Sequence, residues 1–224
     1  MPPIEAVIFD FGGVIVPGSP AGDDPNSPYA VLEREYGLPA GFLWRAVYIE
    51  NSGWLRLRVG EGDVAEWDSV SHQTIAAASS AATADAVMEA LAADRPEQRR
   101  MSGTPPVFNT GMIALIKRLR RDLKVGLLSN ARPGLEDDLV THYQVYGLFH
   151  DVINSATVHL AKPDPRIYQL AAARIRVPID RCFFTDDLAH NVAAARDCGM
   201  TAYQFDNAEN LVNALAEAGV HVPL

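Results

Sequence analysis

Two cysteines in 224 residues are too few for a disulfide-stapled scaffold. Cys182 and Cys198 share no metal-ligand spacing with each other or with a histidine cluster. Both are read as buried apolar thiols of a protein kept in a reducing compartment. Positive charge is also scarce. Lys and Arg number 19 against 28 Asp and Glu, and the formal charge of −9 argues against nucleic acid and anionic membrane surfaces as partners. No uncharged run is long and apolar enough to span a bilayer. The first ten residues, MPPIEAVIFD, carry two acids and no base, unlike a signal peptide, so a cytoplasmic location is expected. With 48% hydrophobic and 21% charged residues, the composition excludes a disordered or collagen-like chain. It suits one large domain, or a medium domain carrying an insert.

The order of patterns favours the second arrangement. An apolar, β-favouring run over 4–9 reads as a buried parallel strand ending at Asp10. Turn formers follow: Pro17, Gly18, Pro20, Gly22, Asp23, Asp24 and Pro25. From about 26 to 102 the chain reads as helical, with Tyr29, Leu32 and Tyr36 at helical spacing and Asp63 placed to cap a helix running to Ile75. The Ala-rich stretch 76–93 continues that block, which holds all three tryptophans. Residues 101–106 read as a linker. Beyond it strands and helices alternate: helix 110–121 capped by Thr110, strand 124–128, helix 133–146 opened by Pro133, strand 151–153, helix 165–175 capped by Asp164, strand 181–185, helix 189–198 stopped by Gly199, strand 200–205 and helix 208–218. Alternation of this kind implies a parallel sheet covered on both faces. The expected architecture is an α/β, Rossmann-like core (1–16 and 103–224) with an all-helical insert (17–102). The insert is the more acidic part, with 7 arginines against 13 carboxylates.

In open parallel sheets ligands bind beyond the carboxyl ends of the strands. Four polar clusters fall there: Asp10, Ser129-Asn130, Lys162 in the loop beyond the third strand, and Asp186-Asp187. A carboxylate at position 10 can act as nucleophile or metal ligand, or simply cap a turn. Gly12-Gly13 lets the backbone turn sharply and approach a ligand. Asp186-Asp187 is a like-charge pair that needs compensation, from solvent or from a hard divalent cation. Lys162 offers a point charge to phosphate or carboxylate. Asp10-Phe11-Gly12 matches the kinase Asp-Phe-Gly signature, but the accompanying His-Arg-Asp and Gly-rich loops are missing. His190 is placed to line such a site, whereas His142, His150, His159 and His221 show no pairing pattern.

Taken together, VIFDFGGV (7–14), GLLSN (126–130), AKPDPRIY (161–168) and CFFTDDLAHNVAAARDCGM (182–200) resemble the four motifs of the haloacid dehalogenase superfamily, in order and in strand context. The resemblance implies a helical cap at 17–102. It implies Asp10 as aspartyl nucleophile, Ser129 as phosphate-binding hydroxyl and Lys162 as the motif lysine. Asp187 becomes the main Mg²⁺ ligand, joined by Asp10 and the Gly12 carbonyl, with Asp186 adjacent or linked through water. Gly12, Gly13, Asn130 and Asn191 are expected around the phosphate. The implied partner is a small phosphorylated molecule, and a homodimer is left open.

The chain departs from the family pattern at one point. Phosphatases of the family usually carry a second Asp two residues after the nucleophile, which protonates the leaving alcohol; here that position is Gly12. Loss of such an acid typically slows a reaction about 10²–10⁴-fold. The readings left open are a substrate with a labile leaving group, a substitute acid from the cap (Glu61, Asp63, Glu66 or His72), metal-independent halide release with Arg45 holding a carboxylate, and a slow or non-catalytic binding protein.

Overall fold

The apolar run that ends at Asp10 forms β1 (Ala6–Phe9), the centre of a five-stranded parallel sheet. The other strands are β2 (Lys124–Ser129), β3 (Asp151–Asn154), β4 (Cys182–Asp186) and β5 (Thr201–Gln204), in the order β3-β2-β1-β4-β5. This computed structural model describes residues 3–17 and 27–222. The sequence's turn formers from Gly18 to Pro25 therefore lie outside the described residues.

Helices α1 (Pro28–Glu35), α2 (Phe42–Trp44), α3 (Ser52–Leu57), α4 (Val64–Ala78), α5 (Ala81–Ala93) and α6 (Pro96–Met101) intervene between β1 and β2. The core adds α7 (Met112–Leu119), α8 (Leu135–Thr141), α9 (Ser155–Val158), α10 (Pro165–Ile175), α11 (Ala189–Asp197) and α12 (Ala208–Glu217).

Strand alternation sorts the core into two layers. Val7 and Phe9 pack with Met112, Ile116, Leu139 and Leu215 on one face. Ala6 and Ile8 pack with Ile167, Tyr168, Ile175 and Val192 on the other. All four β1 side chains are fully buried, which is why that strand reads as continuously apolar. Gly126 in β2 admits α10, because a Cβ there would stand 3.0 Å from Cδ1 of Ile175.

The insert builds its own core from Leu43, Ile75 and Val87, and from Val47, Trp54, Leu57 and Trp67. Two buried polar side chains set its angles. Glu33 accepts hydrogen bonds from the backbone of Gly41 (2.8 Å) and Leu43 (2.7 Å), which ties α1 to the start of α2. Asn51 is completely buried; it accepts from Trp54 N (2.9 Å) and donates to Ala46 O (3.0 Å) and Ser71 Oγ (2.9 Å). Asp63 caps α4 as its sequence position predicts.

Several sequence expectations shift. The stretch 76–93 is broken at Ser79-Ser80, where Ser80 Oγ accepts from Thr83 N and caps α5. Thr110 does not cap α7, which starts after Gly111 at φ +82°. Pro133 stands outside α8, because Gly134 takes φ +94° and the helix opens at Leu135. That helix stops at Thr141 rather than 146, and Gln144 lies at φ +55° just beyond. Cys182 is buried as expected, but Cys198 is half-buried at a helix end rather than inside the core.

Removing the buried Asn51 amide leaves the Trp54 N–H and the Ala46 carbonyl without it. Asn51→Ala is therefore expected to lower stability by about 1–3 kcal/mol, read as a drop in the urea midpoint followed by tryptophan fluorescence.

Candidate active site

Strand register delivers the carboxylates. Phe9 stands level with Thr185 of β4 and Leu127 of β2, so Asp10, Asp186 and Leu128 form the next row. By alternation this row points to the Ile8 and Phe184 face, and Lys162 arrives from that side. Lys162 is 1% exposed, and its ammonium ends among these carboxylates. It lies 2.8 Å from Asp10 Oδ1 and 2.6 Å from Asp186 Oδ2, and it donates to Leu128 O at 3.1 Å. All three of its protons are engaged.

The supporting contacts are equally specific. Asn130 clamps the Lys162 backbone at both ends, accepting from its N–H (2.8 Å) and donating to its carbonyl (2.9 Å). Asn191 donates to both oxygens of Asp186 (3.0 and 3.1 Å), and Leu188 N–H donates to Oδ1. Both Asn130 and Asn191 line the cavity, but their hydrogen bonds hold Lys162 and Asp186 in place. Ser129 is buried at the end of β2 and lines the same cavity.

Asp10, Asp186 and Asp187 each offer an oxygen within 4.8 Å of the others. Lys162 pairs with two of these carboxylates, Asp10 and Asp186. Burial pushes the Asp10 carboxyl above its ordinary range, Lys162 opposes this, and Asp186 and Asp187 add to it. For Lys162 burial works against the charge, but Asp10 and Asp186 outweigh it and hold the ammonium's pKa up. Gly13 is required here. It sits at φ +81°, and a Cβ on it would overlap the Asp187 carboxylate. Gly12 differs, because a Cβ there meets nothing within 4 Å.

Above this edge lies a cavity of about 390 Å³ between the sheet and the insert. Its floor includes Asp10, Gly12, Ser129 and Asp187, with His190 at the side. Its roof is aromatic: Trp44 stacks on Tyr48 at 4.1 Å, with Tyr29, Trp54 and Trp67 around them. Among the described residues, the four candidate cap acids do not line it. Asp63 caps α4, Glu66 pairs with Arg56 at 2.6 Å, His72 meets Asp85 at 2.8 Å, and Glu61 is exposed. Arg45 is exposed and lies 3.7 Å from Glu50, away from the cavity.

Sequence reasoning missed Asn109, whose amide donates to the carbonyls of Gly13 (3.2 Å) and Val14 (2.8 Å) and fixes the loop after Asp10. It also missed Asp138, Tyr143, Arg58, Arg95 and Arg132 as cavity residues. No local spacing marks these positions, because each reaches the cavity only through packing of the insert on the core.

Residues 4–199 match a hydrolase family, the haloacid dehalogenase-like hydrolases. A phosphatase of Mycobacterium tuberculosis, MT3486, is 39% identical over 94 residues, which span 42% of this chain and 43% of that protein. The chain thus spans less than half of that relative. An (S)-2-haloacid dehalogenase of Pseudomonas fluorescens is 25% identical over 98% of this chain and 92% of its own length. Among solved structures, a family enzyme of Bacteroides thetaiotaomicron in complex with magnesium and inorganic phosphate superposes with a TM-score of 0.60 at 18% identity, covering 93% of this chain and 98% of that one. The L-2-haloacid dehalogenase of Xanthobacter autotrophicus, with chloropropionic acid covalently bound, gives 0.56 at 21% identity, covering 97% and 84%. Likeness at that level of identity speaks for the fold.

Replacing Lys162 by Met strands two buried carboxylates, so a loss of about 3–5 kcal/mol is expected. The sign of its pH dependence follows from Asp10. A carboxyl whose folded pKa lies above its unfolded value favours folding at low pH and loses that contribution as pH rises. Without the ammonium the carboxyl is pushed further up, so the Lys162→Met deficit grows from pH 5 to pH 8, as measured by urea titration at each pH.

Proposed function

The chain belongs to the haloacid dehalogenase-like hydrolases, and from that premise we propose that it is a Mg²⁺-dependent phosphomonoesterase acting through Asp10. The observation that carries this reading is the trio of buried carboxylates whose oxygens converge within 4.8 Å, two of them held by Lys162. All of its donors are oxygens, which suits a hard divalent cation. The side-chain-free Gly13 leaves room beside Asp187. Asp10, Asp187 and the Gly12 carbonyl would hold the ion, with Asp186 behind them. Bound there, Mg²⁺ offsets the charge of the carboxylates and of a phosphoryl group.

The chain's own groups account for the rest. Lys162 holds Asp10 Oδ1, so Oδ2 attacks phosphorus in line. The phosphorus–oxygen bond to the alcohol breaks as an aspartyl phosphate forms, and water then hydrolyses it. Ser129 and the backbone near Gly12-Gly13 cradle the equatorial oxygens. The insert acts as a cap that excludes bulk water over the cavity. Position 12 supplies no proton to the departing oxygen, and the cap acids lie elsewhere. The reading therefore favours substrates whose alcohol leaves readily, such as acyl, aryl or anomeric phosphates.

A second reading has its own support. Gly12 is equally suited to halide release, and the dehalogenase relatives match nearly the whole chain. In that reaction Asp10 attacks carbon and no leaving alcohol needs a proton.

Turnover of a phosphomonoester panel graded by leaving-group basicity separates these readings. Activity is expected on the labile esters, to depend on Mg²⁺, and to fall roughly 10³-fold or more in Asp10→Asn. Gly12→Asp, for which space exists, is expected to raise turnover of alkyl phosphates by about 10²–10⁴-fold. Halide release from 2-chloropropionate without metal, together with silence on every phosphate, would overturn the phosphatase reading. Silence on both substrates would point to a binding protein.

A further inference from the structure

Among the described residues, the arginines lining the cavity are paired except at one place. Three arginines line it: Arg58, Arg95 and Arg132. Arg95 is engaged by Asp68 and also stands 5.2 Å over the Trp67 ring. Arg132 is held by Asp138 at 3.0 Å. Asp94, another cavity acid, pairs with Arg99 at 2.6 Å. Arg58 has no ion pair or hydrogen bond from its side chain among the described residues, and its Nε is buried without a partner. Burial lowers its pKa, and no carboxylate opposes that effect. Arg58 is half-buried, and taking its Nε out of water without a partner is costly, so it is kept in place here by the fold.

The anchoring is visible in the backbone. Arg58 ends α3, and the turn after it docks on the core. The Val59 carbonyl meets His159 Nδ1 at 2.8 Å. Gly60 packs so closely on the Ala156 carbonyl that a Cβ would stand 2.5 Å from it. Arg58 is thereby held against the core at the wall of the cavity that also contains Asp10 and the aromatic roof.

We propose that Arg58 is a second anion-binding point, so that the substrate is a phosphomonoester whose alcohol carries a further anionic oxygen group, a carboxylate or a second phosphate, on a body able to lie against Trp44 and Tyr48. This inference rests on the phosphatase reading for the orientation of the substrate. The requirement for an anion at Arg58 rests on the unmatched guanidinium alone. Arg suits the task because its planar fork binds both oxygens of such a group at once.

The test uses three aryl phosphates of one shape: 4-carboxyphenyl phosphate, 1,4-phenylene bisphosphate and the neutral isostere 4-carbamoylphenyl phosphate. Their turnover is measured with the wild type, Arg58→Gln and Arg58→Lys. In parallel, 4-carboxybenzylphosphonate and 4-carbamoylbenzylphosphonate are titrated against tryptophan fluorescence, since all three tryptophans line the cavity. The expected result is a preference for an anionic probe over the carbamoyl probe of about ten- to hundredfold in KM and Kd. Arg58→Gln should collapse that ratio toward one, and Arg58→Lys should retain part of it. Which of the two anionic phosphates wins identifies the group as carboxylate or phosphate. No preference in the wild type, or an equal loss on charged and neutral probes in Arg58→Gln, would overturn the inference. If no phosphate is hydrolysed, the phosphatase reading falls, while the phosphonate pair still decides the role of Arg58.

Discussion

The buried ammonium of Lys162 is the contact on which the rest of the site depends. It fills a position where two strands each end in a carboxylate on the same row. Without it Asp10 and Asp186 could not both approach ionisation in a medium of low dielectric. Its charge lies 5.5 Å from the ring of Phe184, on the face of the sheet where Ile8 and Phe184 pack. Asn130 and Asn191 each immobilise one side of the pair rather than contacting the reaction space first. The result is a cluster of charges preorganised by fixed hydrogen bonds.

The α/β architecture was legible because it depends on local signals. A strand buried on both faces, as β1 is, shows as an unbroken apolar run, and Asp164 and Asp63 announce the helices they cap. The meeting of Asp10, Lys162 and the Asp186-Asp187 pair was legible for a related reason: parallel strands end their side chains along one edge, so residues far apart in sequence meet there. Helix starts at glycines in the left-handed conformation were not legible. Gly111 and Gly134 look like ordinary breaks, and Thr110 and Pro133 beside them look like better openers. The roof was equally hidden. Trp44, Tyr48 and Arg58 reach the cavity through a π-helical turn over Arg45–Ile49 and through the Asn51 hydrogen bonds, and neither has a sequence period of its own.

The two adjacent glycines illustrate why residue type alone misleads. Gly13 is dictated by sterics, since its backbone angle and the nearby Asp187 leave no place for a side chain. Gly12 is under no such restriction, and the space beside it is open. Packing therefore does not explain the absent acid at position 12. On the phosphatase reading proposed above, its absence shifts the burden of protonation onto the substrate.

The Asn109 side chain, described above as a brace for the loop after Asp10, also joins the two points where the insert leaves and re-enters the core. Its backbone N–H bonds to Ile15 O at 2.9 Å while its amide holds Gly13 and Val14. Topologically, residues 17–108 are then one long excursion closed at its base. Closure entropy grows only with the logarithm of length, about 0.6 kcal/mol for each doubling. A lineage can thus lengthen, shorten or recompose the excursion with little effect on the sheet edge beneath it. The stapled base makes the sheet edge mechanically independent of whatever the excursion carries.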